Sequence, residues 1–186
     1  MTKTPIVLVL RSGGEYKVEH VQRLREQIPD RRFVVFTDVK VDGVETVELL
    51  HDWPGWWAKM EMFRLDEPFL FMDLDTTVKK DVEPLINVAK QHKFVALRDV
   101  YRGEKDRRAL QSSLMYVDGT YGWLYDQFKQ NPRFMDGGDQ IFIQTRVKNA
   151  VFWQDITNEV SSYKVPTNID PTIWVYHGKP RPWDVE

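Results

Sequence analysis

The run Ile6-Val7-Leu8-Val9-Leu10, entered through Pro5, contains no polar residue. A strand with water on one face alternates apolar and polar side chains. An unbroken, partly β-branched run therefore belongs to a strand covered on both faces, as in a parallel sheet. Such a strand needs helices for cover, and Val18, Val21, Leu24 and Ile28 recur at helical spacing up to Pro29. "RFVVFTD", residues 32–38, then repeats the apolar run. Strand, helix and strand in that order form a βαβ unit, and they predict an α/β fold.

The remaining elements follow by the same reasoning. "VETVELL" (44–50) suggests a short third strand, and a helix is expected from near Trp56, with Met60 and Phe63 on one face. Strands are predicted at 69–72, 93–99, 112–118 and 172–178, and helices around 83–91, over 122–130 and within 137–147. "YRGEKDRRALQ" (101–111) is charged and mostly polar, which predicts a mobile surface loop. With 186 residues, 42% of them hydrophobic, the chain can build one core but not two comfortable ones. A single domain over 1–186 is expected.

A formal net charge of −2 gives no electrostatic basis for binding nucleic acid. The absence of cysteine excludes disulfides and thiolate metal sites. The first apolar run ends at Arg11, too short for a signal peptide or a membrane span. A cytoplasmic protein without a transmembrane segment is the expectation.

Several strands end in polar residues: Arg11 with Ser12, Asp38, Asp73 with Asp75, Arg98 with Asp99, and His177. In open α/β sheets the carboxyl ends of the strands line the ligand crevice. The sharpest of these endings is "FLFMDLDTTV" (69–78), where Asp73 and Asp75 close an apolar strand. On a strand, that spacing turns both carboxylates to one side. At about 5 Å they repel each other unless one is protonated or a cation lies between them. Oxygen ligands suit Mg²⁺ or Mn²⁺, and an added imidazole favours Mn²⁺. "DLDTTV" also fits the first motif of haloacid-dehalogenase-like phosphatases, with Asp73 as nucleophile and Asp75 as proton donor. Those enzymes place this strand near the start of the chain and need a later acidic pair, for which "GGDQIFIQ" offers Asp139 alone.

Four further stretches extend the pattern: "DWPGWWAKMEMFR" before the acidic pair, then "ALQSSLMYVD", "GGDQIFI" and "VYHGKPRPWD". In this order they resemble small bacterial and phage glycosyltransferases with a GT-A-type fold, related to glycosyltransferase family 8. The resemblance runs from "LRSGGEY" to the C-terminus. It implies a Rossmann-like, mixed but mainly parallel sheet flanked by helices, and transfer of a sugar from a nucleotide sugar, expected to be UDP-linked, to an unknown glycan, lipid or small molecule. Asp73, Asp75 and His177 would hold Mn²⁺ or Mg²⁺ against the diphosphate, with Gly178 and Lys179 beside it.

Arg11, Ser12, Gly13, Asp38 and Lys59 would complete the nucleotide pocket. Asp99, Gln111, Ser112 and Asp139 would meet the sugar. "GGDQ" looks like the family's Asp-Gln pair, which makes Asp139 and Gln140 the catalytic residues and the reaction a retaining one. Gln111 departs from the usual Asn at its position. The tail is expected to order over the diphosphate, stiffened by Pro180 and Pro182, with Trp183 packed back on the domain. Trp53, Trp56 and Trp57 read first as core and lid packing, with sugar stacking the second reading. A catalytically inactive nucleotide-sugar-binding protein is the remaining alternative.

Overall fold

The computed structural model describes residues 3–185. Met1, Thr2 and Glu186, at the ends of the expected domain, lie outside it. The elements are β1 (Ile6–Leu10), α1 (Val18–Gln27), β2 (Phe33–Thr37), β3 (Glu45–Glu48), a run of 3₁₀ turns (Gly55–Arg64), β4 (Phe69–Met72), β5 (Thr76–Val78) and α2 (Glu83–Ala89). There follow β6 (Phe94–Arg98), β7 (Leu110–Val117), α3 (Gly122–Gln130), α4 (Gly138–Arg146), β8 (Val151–Phe152), α5 (Trp153–Ile156), β9 (Val160–Ser162), β10 (Ile173–Val175) and a final 3₁₀ turn, Pro182–Asp184.

A seven-stranded sheet in the order β3-β2-β1-β4-β7-β6-β8 forms the centre. β1 pairs in parallel with β2 and β4, and only β7 runs against its neighbours. The double cover inferred for β1 is present. Ile6, Leu8 and Leu10 join one core cluster with Val21 and Leu24 of α1, while Val7 joins the other with Trp57, Met60 and Phe63. The expected mainly parallel, helix-flanked α/β sheet is thus observed.

The structure corrects several local expectations. The helix near Trp56 winds as 3₁₀ turns over ten residues. Residues three apart eclipse in that geometry, so Met60 and Phe63 still share the buried face. Glu61 is fully buried there and accepts hydrogen bonds from the backbone N–H groups of Leu50 and His51, at 2.8 and 2.9 Å. The charged loop after Asp99 is tied down. The Arg102 guanidinium donates to Asp99, to Gln144 and to the carbonyl of Leu110.

The strand foreseen over 172–178 is β10, and it lies outside the large sheet. It forms a small second sheet, β5-β10-β9, antiparallel to β5 and parallel to β9. In that register Thr76 faces Val175. An antiparallel pair then brings the residues preceding Thr76 beside those following Val175. Asp75 and His177 become neighbours for that reason.

Candidate active site

A cleft of about 850 Å³ opens where β1 and β4 end and β7 begins. Its walls are the loop from Arg11 to Tyr16, the turn Asp73-Leu74-Asp75, Gln111 to Ser113, Gly137 to Gln140, and the tail at Tyr176, His177, Gly178 and Arg181. This is the carboxyl edge of the parallel strands, where α/β sheets place their ligands, and its volume lies in the range of small-molecule sites.

β4 ends at Met72, so the two aspartates lie in a turn and not on the strand as expected. The Asp73 N–H donates to the Ser113 carbonyl at 2.8 Å, and the Thr76 N–H returns to the Asp73 carbonyl at 3.1 Å. Turn geometry, and not the pleat, directs both residues into the cleft.

The positive charge needed beside them comes from two directions. Lys59 Nζ lies 3.0 Å from Asp73 Oδ1, 3.7 Å from Asp139 Oδ2 and 3.4 Å from Ser112 Oγ. Ser112 in turn donates to Asp139 Oδ2 at 2.6 Å. Burial opposes the charge on Lys59, but Asp139 and Asp73 outweigh it and hold its pKa above the usual value. Burial raises the Asp73 carboxyl to about 6, against the pull of Lys59 and with the push of Asp75. On the other side Arg181 donates to Asp75 and grips Glu15 with two hydrogen bonds, at 3.0 and 2.7 Å. Its guanidinium also sits over the Tyr16 ring, 5.4 Å from the centroid. Burial, then the charges of Asp75 and Asp73, push the Tyr16 phenol above its usual pKa.

His177 Nδ1 meets the Gln111 amide at 2.5 Å. The longer side chain at 111, where the resembling family has Asn, reaches the imidazole. Burial lowers the His177 pKa, with Asp75 and Asp99 pulling it back, and this favours the neutral ring at pH 7. His177 Nε2 and Asp75 Oδ1 are buried without a hydrogen-bond partner. They are a nitrogen and an oxygen donor of the kind Mn²⁺ accepts. Among the described residues, however, no group of three or more His, Asp or Glu side chains is arranged to hold a metal ion as it stands. Lys59 and Arg181 occupy carboxylate oxygens of the pair.

The other predicted residues divide into two groups. Arg11, Ser12, Gly13, Lys59, Gln111, Ser112, Asp139, Gln140 and Gly178 line the cleft. Asp38 and Asp99 do not. Asp38 receives hydrogen bonds from the Ser12 N–H and hydroxyl at 2.8 and 2.6 Å, and Asp99 receives them from the backbone of Tyr101 and Arg102. Each carboxylate ties down a loop. Lys179 is exposed and also lies off the cleft wall; the tail's cation at the acidic pair is Arg181. Sequence reasoning missed Arg181, Glu15, Tyr16 and the glycine pair Gly137-Gly138. For Arg181 the signal was Trp183, whose indole stacks on His20 at 4.0 Å and so sets the path of the tail.

No family model matches the chain, and no curated protein sequence does. Solved structures do match it in shape. The glycosyltransferase GlyE of Streptococcus pneumoniae TIGR4 superposes with a TM-score of 0.73 at 12% identity, over 97% of this chain and 57% of GlyE. The galactosyltransferase LgtC, solved with donor and acceptor sugar analogues, superposes at 0.65 and 12% identity, over 97% of this chain and 89% of LgtC. The bifunctional glycosyltransferase WbbM does so at 0.65 and 13%, over 98% of this chain and 47% of WbbM. The chain thus spans a little over half the length of GlyE. Its fold is that of GT-A-type glycosyltransferases. Among the described residues no helix is long and apolar enough to cross a membrane.

Proposed function

We propose that the protein transfers a sugar from a nucleotide sugar, UDP-linked in the first instance, to an acceptor hydroxyl, using a divalent cation and retaining the configuration at the reacting carbon. The carrying observation is the cleft wall, where Asp75 Oδ1 and His177 Nε2 are buried without a partner and the other Asp75 oxygen accepts from the cation Arg181. That set suits a metal and a diphosphate together. Asp73, Asp75 and His177 are the residues that would hold Mn²⁺, or less favourably Mg²⁺. When bound, the ion would stabilise negative charge on the diphosphate.

The chain's own residues divide the remaining work. Transfer breaks the bond between sugar C1 and the diphosphate, and the electron pair leaves with the phosphate oxygen. The planar Arg181 fork matches phosphate oxygens and stabilises that charge. Lys59 holds Asp73 and Asp139 together in a site of low dielectric. Ser112 fixes the Asp139 carboxylate, which with Gln140 faces the sugar. Retention rests on the likeness of this Asp-Gln pair to family 8. Arg11, Ser12 and Gly13 form the nucleoside end, where Asp38 acts by holding Ser12.

Calorimetry with UDP tests the proposal, in EDTA and in Mn²⁺. Each ligand should strengthen the binding of the other, and equal UDP affinity in both buffers would sink the metal assignment. Arg181→Ala should weaken UDP by tenfold or more, the worth of a charge-assisted hydrogen bond of about 1.5–3 kcal/mol, and leave uridine much less affected. Lys179→Ala should do neither. A phosphomonoester that left a covalent phosphate on Asp73 would replace this reading with the phosphatase one. UDP binding without turnover of any donor would leave an inactive binding protein.

A further inference from the structure

Three tryptophans share one short stretch, and the fold treats them differently. Trp53 and Trp57 are buried and pack on Phe128, Trp57 stacked at 5.0 Å and Trp53 edge-on at 4.7 Å. Trp56 is 61% exposed and lines the cleft. Core packing accounts for the first two and not for the third. A single exposed indole is ordinary on a protein surface; what sets Trp56 apart is that it lines the cleft and is held there by a close backbone contact.

The position of Trp56 is built. Gly138, with φ of +71°, opens α4 directly against it. A Cβ at residue 138 would come within 2.6 Å of the indole Nε1 and 3.0 Å of Cδ1. Only glycine admits this approach, and it sets the pyrrole edge of the ring against the backbone next to Asp139 and Gln140. The exposed indole thus stands at the sugar end of the cleft.

We infer that Trp56 is the platform of an acceptor subsite for a pyranose ring, so that the acceptor is a carbohydrate. This rests on the glycosyltransferase reading above. A pyranose has an apolar face of axial C–H groups, which packs on an aromatic ring, and a rim of hydroxyls, which needs polar partners. The site offers that combination: one aromatic surface, then a carboxylate, an amide and backbone. A lipid chain would need a continuous apolar wall. The exposed apolar residues just before the glycine pair, Phe134 and Met135, do not line the cleft, and the apolar residues that line it along with Trp56, namely Val9, Tyr16, Leu74 and Tyr176, are buried or half-buried.

Saturation-transfer NMR with a panel of methyl hexopyranosides and simple disaccharides, in the presence of UDP and Mn²⁺, tests the inference. At least one sugar should receive saturation at its ring C–H protons. Trp56→Ala should weaken that sugar at least tenfold, Trp56→Phe should recover part of the loss, and UDP affinity in Trp56→Ala should stay within twofold of the parent. If no sugar in the panel binds, or if binding ignores residue 56, the acceptor subsite is wrong even where UDP binds normally. A loss of UDP and uridine affinity in Trp56→Ala would place the ring against the nucleobase and also overturn the inference. Failure of UDP to bind the parent protein would instead remove the glycosyltransferase reading itself.

Discussion

Asp73 and Asp75 belong to one turn, yet they are neutralised by parts of the molecule with different architecture. Lys59, facing Asp73, rides on the 3₁₀ segment, whose neighbours pack into the large apolar cluster on one face of the main sheet. Ser112 and Asp139, its other partners, come from β7 and α4 of the same body. Arg181, facing Asp75, rides on the last residues of the chain and is held by Glu15, by the Tyr16 ring and by Trp183 stacked on His20. The inboard half of the cleft is therefore formed by folding itself. The outboard half is added by a tail that neither core cluster contains. A site built this way can keep its Asp73 end rigid while its Asp75 end remains separable from the fold.

Truncation after Tyr176 strains this contrast most. It removes His177 and Arg181 but no member of either core cluster. Transfer should fall by about 10²–10³-fold or more, the usual cost of removing one preorganised electrostatic contact in a transition state. Far-UV circular dichroism and a cooperative melt should survive, with the melting temperature lowered by the lost Trp183 packing. A truncated chain that unfolds would show that the tail belongs to the fold, and the contrast would be broken.

A smaller effect separates the two cations. Lys59→Met keeps the volume but leaves Asp73 and Asp139 without their shared countercharge. Removing one partner from a buried ion cluster costs about 3–5 kcal/mol, to be read as a lower urea midpoint at pH 7. Arg181→Met should cost less than that, because it strands one buried carboxylate, Asp75, while its other partner, Glu15, is 46% exposed and stays solvated. Equal losses would mean that the outboard pair is as much part of the folded body as the inboard one.

The inboard half was also the more legible in sequence, for a physical reason. Burial on both faces writes itself as unbroken apolar runs, and β1, β2, β4 and β6 all carry them. α3 and α4 show helical spacing of their own. β9 is only Val160-Ser161-Ser162, and its place is fixed by pairing with β10, a long-range event that leaves no local pattern. Strand-end carboxylates stand out in the sequence as a group, but the sequence does not sort them. Asp73 and Asp75 face the cleft, whereas Asp38 and Asp99 spend their oxygens on the backbone of their own loops. A carboxylate suits either task, and spacing alone does not say which backbone N–H groups will come near. In the tail, Lys179 and Arg181 are equivalent until Trp183 docks on His20, a contact between opposite ends of the chain.

Proton linkage gives the smallest effect, and the contrast predicts that the two halves respond with opposite sign. His177 and His20 both have pKa values lowered mainly by burial. The unfolded chain then binds more protons at these sites than the native state, so their contribution to stability falls as pH drops through the ordinary imidazole range near 6.5. Asp73 behaves in reverse. Its native pKa is raised to about 6 from the ordinary 3.8, so between those values the native state holds the proton more tightly. Stability from Asp73 rises as pH falls through about 6 and is lost again as pH rises past it. The parent protein should therefore show a shallow pH dependence between pH 4 and 7, as two slopes partly cancel. Urea midpoints across that range should fall more steeply on acidification in Asp73→Asn, which removes the opposing slope. In His177→Gln they should fall less steeply than in the parent. If both variants shift the slope in the same direction, Asp73 is not held protonated by burial, and Lys59 alone sets its charge.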